Sequence, residues 1–262
     1  MAMDPPQAPG MHRILSPRPA DCRLTQRADR AFLRRHLWLP LLGALVIGSV
    51  LARGGDVWMA DHLFAAEGHR WQLRDSWSTS VLMHAGGKWL SVTAMLVSVG
   101  ACIHAWRNDT DRRRRWALLY LLLAIALGTG SVSILKTLTH MDCPWDLLRY
   151  GGDRPFVGLL QPRPATLPAA ACFPAGQASA GYAWVSLYFC ALLCRPGWRW
   201  RGLAAGIAAG ATLGAAQQLR GAHFMSHDVA TLAVCWLVSL GLYLRVDAHL
   251  RSTSPIAPVS CR

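Results

Sequence analysis

Six apolar runs, separated by polar segments, set the pattern of this chain. They cover about residues 37–52, 82–106, 116–135, 178–194, 202–219 and 229–246. Each comes close to the roughly 20 residues that an α-helix needs to cross the hydrocarbon of a bilayer, the first being slightly short. The expected fold class is therefore all-α: a polytopic membrane protein with six transmembrane helices in a bundle. The stretch 53–81 is mixed, interleaving Trp58, Phe64, Trp71 and Trp77 with Asp61, Glu67, Arg70 and Arg74. It reads either as an amphipathic outer helix lying at the interface or as a plain re-entrant connector.

Composition strengthens this picture. The 262 residues are 53% hydrophobic and only 16% charged, against about 25% charged in an ordinary soluble domain. Twelve Trp residues suit a chain with two lipid–water interfaces, where Trp concentrates. A net charge of +13 invites a nucleic-acid partner, but the basic residues form short clusters beside the apolar runs, so membrane topology accounts for them and no nucleic acid is implied.

Those clusters orient the chain. Arg13, Arg18, Arg23, Arg27, Arg30, Arg34 and Arg35 lie in a Pro-rich segment that reads as a disordered basic tail. Arg107, Arg112, Arg113, Arg114 and Arg115 follow the second run. Arg195, Arg199 and Arg201 follow the fourth, and Arg245, Arg251 and Arg262 close the sixth. Six alternating helices put all of these on one face, which the positive-inside rule makes the cytoplasm. The expected plan is a cytoplasmic tail 1–35, a six-span unit 36–246 and a cytoplasmic tail 247–262, in a bacterial-type inner (plasma) membrane. Segments 53–81, 136–177 and 217–228 then share the outer, periplasmic face.

Of eight cysteines, only Cys143 and Cys172 fall on that oxidising face, so a disulfide between them is expected, with two free buried thiols as the alternative. Such a bridge would stabilise the fold by about 3 kcal/mol in the chain-entropy description.

The unusual polar chemistry also converges on the outer face. Lys136 and His140 are four residues apart and lie one above the other if the third helix continues, although a lysine at a helix end often merely reaches for the interface. Pro174-Ala175-Gly176-Gln177 makes a tight turn into a helix N-terminus, where free N–H groups and the dipole favour an anion. The small residues Ala178, Ser179, Ala180 and Gly181 equally suit close helix packing. Finally Arg220, His223, His227 and Asp228 form a polar island between two spanning runs, a costly arrangement unless it serves a function. A metal site built from His140, Asp142, Cys143, His223, His227 and Asp228 is a second reading, which requires 223–227 to be helical against Gly221 and Ser226. A transporter is disfavoured, since no pair of broken helices is visible.

From about Lys136 to the sixth run, the chain resembles the membrane branch of the type 2 phosphatidic acid phosphatase superfamily. The family's motifs are Lys-x6-Arg-Pro, Pro-Ser-Gly-His and Ser-Arg-x5-His-x3-Asp. Here they read Lys136-x6-Cys143-Pro144, Pro174-Ala175-Gly176-Gln177 and Ala216-Gln217-x5-His223-x3-His227. The resemblance implies a six-span bundle whose outer face hydrolyses a lipid phosphate or diphosphate among membrane lipids, through a phosphohistidine and without metal or other cofactor. Isoprenoid diphosphates, phosphatidate-type lipids and glycolipid phosphates are the implied substrates.

Carried over by position, His223 is the nucleophile and Lys136 a phosphate ligand, with Gly176, Gln177 and His140 beside the phosphate. Asp228, one place beyond the expected carboxylate, is the candidate to orient His223, and the role of His227 stays open. Arg220 is the candidate to replace the arginine lost at Gln217, and Arg149 or Arg154 that lost at Cys143. Gln177 donates hydrogen bonds but cannot deliver a proton, and loss of a general acid costs about 10²–10⁴ in rate. Three outcomes follow: His140 or His227 supplies the proton, the leaving group needs little help, or the protein binds lipid phosphates without turnover. As a test of the topology, a reporter placed after Arg262 is expected to resist membrane-impermeant labelling of intact cells; labelling from outside would invert the orientation.

Overall fold

The computed structural model describes residues 29–159 and 161–253. Residues 1–28, with Cys22, and 254–262, with Cys261, lie outside the described residues, and so does most of the expected basic tail.

Six long helical runs carry the chain: α1 (Asp29–Ala66), α2 (Trp77–Asn108), α3 (Arg112–Thr139), α4 (Gly176–Cys194), α5 (Arg199–Leu219) and α6 (Met225–Ser252). Among the described residues the only β-type pairing is an isolated bridge between Leu147 and Arg154. Five of the helices, α1–α4 and α6, are long and apolar enough to cross a membrane. The fifth apolar run is also helical, but Gly and Ala dominate α5 and give it less apolar surface.

Instead α5 carries glycine at every fourth residue, Gly202, Gly206, Gly210 and Gly214, which places all four on one face. Its neighbours approach to backbone distance along that face. A Cβ on Gly206 would fall 2.4 Å from the Val185 amide nitrogen, and one on Gly181 of α4 would fall 2.4 Å from that of Gly210. Close approach of this kind drives helix association in lipid, where apolar side chains gain nothing by leaving their surroundings.

The main core lies between α3, α4 and α6, around Tyr120, Val132, Val185, Phe189 and Cys235. The Tyr120 hydroxyl donates to the Ser239 carbonyl at 3.0 Å, so the phenol is satisfied within the apolar interior. Helix α1 joins this core through His36, whose ring pairs with the Tyr188 hydroxyl at 2.8 Å and whose carbonyl accepts from Trp236 Nε1 at 2.6 Å. Residues 29–35, expected in a disordered tail, are therefore already helical, because Phe32 and His36 have aromatic partners on α4 and α6. At the other end α6 continues beyond 246 to Ser252, with Arg251 paired to Asp247 one turn earlier at 2.6 Å.

The 53–81 stretch is not one interfacial helix. Gly54, at φ +135°, bends α1, which then continues as Asp56–Ala66. The chain turns through 67–76, and Trp77 opens α2. The bend brings Asp56 to the start of α6, where it accepts from the Ser226 amide at 2.9 Å. A carboxylate there satisfies an otherwise open N–H and complements the helix dipole. Phe64 and Trp71 pack with Tyr150 and Phe224 in a second small core above the membrane-spanning part.

If α4 and α5 depend on backbone contact, Gly181→Ala should lower stability by about 1–3 kcal/mol, the usual cost of overpacking. Gly241→Ala, which meets nothing within 4 Å, should be neutral or mildly stabilising. Thermal unfolding in detergent distinguishes the two.

Candidate active site

The site forms where the last turn of α3, the start of α4 and the start of α6 meet. The Ala175 amide donates to the His227 carbonyl at 3.3 Å, and Thr231 Oγ1 donates to the Ala175 carbonyl at 3.1 Å, so α4 begins in a fixed position on α6. The end of α3 is tied to the same place: the Cys172 amide donates to the Met141 carbonyl at 3.0 Å, and a Cys143–Cys172 disulfide joins the two strands of chain, Cα atoms 5.3 Å apart.

This arrangement sets Lys136 against the N-terminus of α4. Its Nζ lies 3.4 Å from where a Cβ on Gly176 would stand, so the glycine leaves room for the ammonium. An ammonium beside the open N–H groups and positive end of a 19-residue helix makes a receptor for a negatively charged group.

His223 stands on the turn between α5 and α6. Gly221 makes that turn at φ +69°, and a Cβ there would fall 2.4 Å from the Trp71 ring, so conformation and space both require glycine. The Gly221 carbonyl accepts from the Trp145 amide at 2.9 Å, which fastens the turn to the loop after Cys143. His223 Nδ1 lies 3.4 Å from His227 Nδ1. His223 retains 7% exposure and His227 none, so only His223 has an outlet to the site. Burial first, and then the charges of His227 and Lys136, hold the His223 imidazole well below its usual range, so it is neutral near pH 7.

One of the two facing Nδ1 atoms must donate and the other accept. With the proton on His223 Nδ1, its Nε2 keeps a free lone pair, and His227 carries its own proton on Nε2. That buried atom has no partner among the described residues, while Phe173 and Phe224 stand edge-on around the ring. His227, at the position of the third motif's carboxylate, is thus the partner of the His223 ring.

Asp228 does not orient His223. Successive helix residues point about 100° apart, and Asp228 turns instead toward α5, accepting from Gln218 Nε2 at 2.6 Å beside Gly214. The arginine candidates also separate. Arg154 pairs with Asp142 at 2.7 Å, and Arg163 bonds the same carboxylate, at 3.0 Å through Nη2. Arg149 grips Asp61 in bidentate fashion at 2.6 and 2.7 Å. Each of these arginines between α3 and α4 is thus paired with a carboxylate.

Arg220, in contrast, has only oxygen partners without charge: the Arg74 carbonyl at 2.7 Å and Gln217 Oε1 at 3.4 Å. His140 is not stacked above Lys136, because α3 stops at Thr139 and His140 takes a left-handed conformation at φ 50° with its side chain exposed. Among the described residues no three His, Cys, Asp or Glu side chains converge as a metal-ligand group. Cys143 is in the disulfide and Asp142 is held by its arginines, which removes two donors of the metal reading.

One residue at this site belongs to no motif. His84, near the outer end of α2, accepts at its carbonyl from Gln177 Nε2 at 2.7 Å, and its Nδ1 lies 3.4 Å from Gln217 Nε2. In sequence it was only a polar residue near the edge of an apolar run. Gln218, the partner of Asp228, was equally unmarked.

The family profile described as PAP2 superfamily matches residues 117–251, just over half of the chain and every residue of the three motifs. No curated protein and no solved structure gives a significant match. Phosphatase-type chemistry, commonly on lipid phosphates, is what this family implies. A profile that runs from near the start of α3 through α6, over the helices that bring Lys136, Gly176 and His223 together, identifies the chain as belonging to the PAP2 superfamily.

Proposed function

We propose that this protein is an integral membrane phosphatase that hydrolyses a lipid phosphate or diphosphate on the outer face of a bacterial-type inner membrane. In this reading α5 also crosses the membrane, which makes six spans, and both termini are cytoplasmic. The observation that carries the proposal is the juxtaposition of the Lys136 ammonium and the α4 N-terminus with a neutral, nearly buried His223.

The chemistry follows from these groups. Lys136 and the first N–H groups of α4 hold the phosphoryl oxygens and offset the charge they gain in the transition state. His223 Nε2 forms a bond to phosphorus as the bond to the leaving oxygen breaks, with its Nδ1 proton held on His227. Water then attacks the phosphohistidine, the P–N bond breaks, and inorganic phosphate leaves.

A lipid is favoured over a soluble phosphate by a groove of about 780 Å³ between α2, α4 and α5. Leu82, Leu90, Ala94, Trp184, Ala208 and Leu213 are among its walls. Leu213 lies one helical turn before Gln217, so a hydrocarbon tail in the groove continues directly into a headgroup at the site. A second reading, binding without turnover, rests on Gln177, which stands at the second motif's proton-donor position and cannot release a proton.

Phosphate release from lipid phosphates in proteoliposomes tests the first reading. His223→Ala should abolish it, by roughly 10⁴-fold or more; unchanged activity sinks the mechanism. A silent parent protein that is revived by Gln177→His establishes the second reading instead. The orienting assignment has its own outcome. His227→Ala should lower kcat by about 10²–10⁴-fold, as loss of a partner that fixes tautomer and orientation does. Asp228→Asn should act mainly on thermal stability. Because the His223 pKa is depressed, lowering the pH from 7 to 6 should not protonate the nucleophile, and kcat/KM should show no acid limb from His223 in that interval.

A further inference from the structure

We propose that His84 is the proton donor to the leaving oxygen, an imidazole supplied from α2 in place of the one absent at Gln177. The inference rests on the phosphatase reading above and adds a catalytic residue to it. His84 lies outside residues 117–251, so neither the motifs nor the family match reaches it.

The two glutamines that depart from the family's pattern meet on this one residue. Gln177 stands where the second motif has histidine, and its amide bonds the His84 backbone carbonyl. Gln217 stands where the third motif has arginine, and its amide faces the His84 ring. A histidine and an arginine at these positions would bring two more positive groups against His84. The neutral amides instead position it, one through the main chain and one through Nδ1.

The geometry also defines which nitrogen can act. With Gln217 Nε2 donating to Nδ1, the neutral ring carries its proton on Nε2, and among the described residues that atom has no hydrogen-bond partner. The side chain is exposed on the face of α2 just above the groove residues Gly86 and Gly87. The charged form needs an acceptor at Nδ1, and the Gln217 amide turned end for end offers Oε1 there, giving up its 3.4 Å bond from Arg220.

The charged and titratable groups around the ring are Arg220 at the end of α5, Lys136 on α3, Lys88 on α2 itself, and His223, on whose charge state His84 in turn acts. In the empty site the three cations oppose a fourth positive charge. A bound phosphate dianion reverses that balance, so His84 takes up a proton as substrate binds and holds it at the leaving side. As His223 attacks and the P–O bond breaks, the electron pair goes to the leaving oxygen, which takes the Nε2 proton of His84. The neutral ring then accepts a proton from the water that attacks the phosphohistidine, which regenerates the charged ring, and that proton is released as inorganic phosphate leaves and the site empties.

The test compares leaving groups. His84→Gln should cut kcat by about 10²–10⁴-fold on a lipid monophosphate, whose alkoxide must be protonated. On 4-nitrophenyl phosphate, whose phenolate leaves unaided, the loss should be less than about 10-fold on the same reasoning. The alkaline limb of kcat on the lipid should disappear in this variant, and Gln177→His in the same background should restore activity on the lipid. Equal losses on both substrates, or none, overturn the assignment while leaving the phosphatase reading intact, provided that His223→Ala is inactive. An unmodified protein that releases phosphate from neither substrate removes the phosphatase reading and the role of His84 together. Thermal unfolding of His84→Gln should match the parent, since the side chain is exposed; a large drop would make its role structural.

Discussion

The joint between Ala175 and the first turn of α6 is the contact on which the rest of the site depends. One residue donates its amide to His227 and accepts from Thr231, so the N-terminus of α4 and the helix that follows His223 cannot move independently. Both bonds are buried, where an unpaired backbone group costs about 1–3 kcal/mol, and that penalty keeps the register between α4 and α6. Lys136 reaches this joint from α3, and the Gly176 backbone is open enough to receive it. Lys136, the α4 N-terminus and His223 are thereby held together by secondary-structure ends rather than by long flexible side chains.

Positive charge is partitioned with the same economy. The loop between α3 and α4 contains several arginines, but Asp142 holds Arg154 and Arg163, and Asp61 holds Arg149. These pairs, with the Cys143–Cys172 disulfide, pin the loop over α1 and α6. The cations facing the site are Lys136, Arg220 and Lys88, whose partners among the described residues include no carboxylate. A cation without a carboxylate at the edge of a low-dielectric region is costly when the site is empty and favourable when a phosphate fills it. That difference is a source of binding energy specific to an anionic headgroup.

Helix α5 shows how a membrane scaffold delivers such a site. It has little apolar surface to offer, and lipid would not reward burying more. Its glycine face lets α4 approach to backbone distance, and Gly214 makes room for the Asp228 carboxylate of α6. The same helix ends in Gln217 and Gln218, one facing His84 and the other holding Asp228. The close packing of α5 therefore sets Gln217, one of the departures from the family's third motif, against His84.

Local periodicity determined the helices, because apolar runs of membrane length are a one-dimensional signal: all six recur as helical runs, within a few residues at most ends. Motif order likewise pointed to the family and to Lys136, Gly176 and His223, since these residues are read from spacing alone. The remaining assignments depended on direction in space, which a linear sequence does not carry. Asp228 and His227 are neighbours in the chain, yet one turn angle of the helix sends one to Gln218 and the other to His223. Arg154 was a plausible phosphate ligand until Asp142 was placed beside it, and His140 until α3 ended one residue too soon. His84 lay 93 residues before Gln177 without any local mark, and only the packing of α2 against α4 and α5 brought it to the two glutamines. The sequence by itself determined which runs are apolar helices and which family the chain belongs to; the tertiary structure alone decided which side chains meet, because those meetings are set by helix rotation and close packing rather than by spacing along the chain.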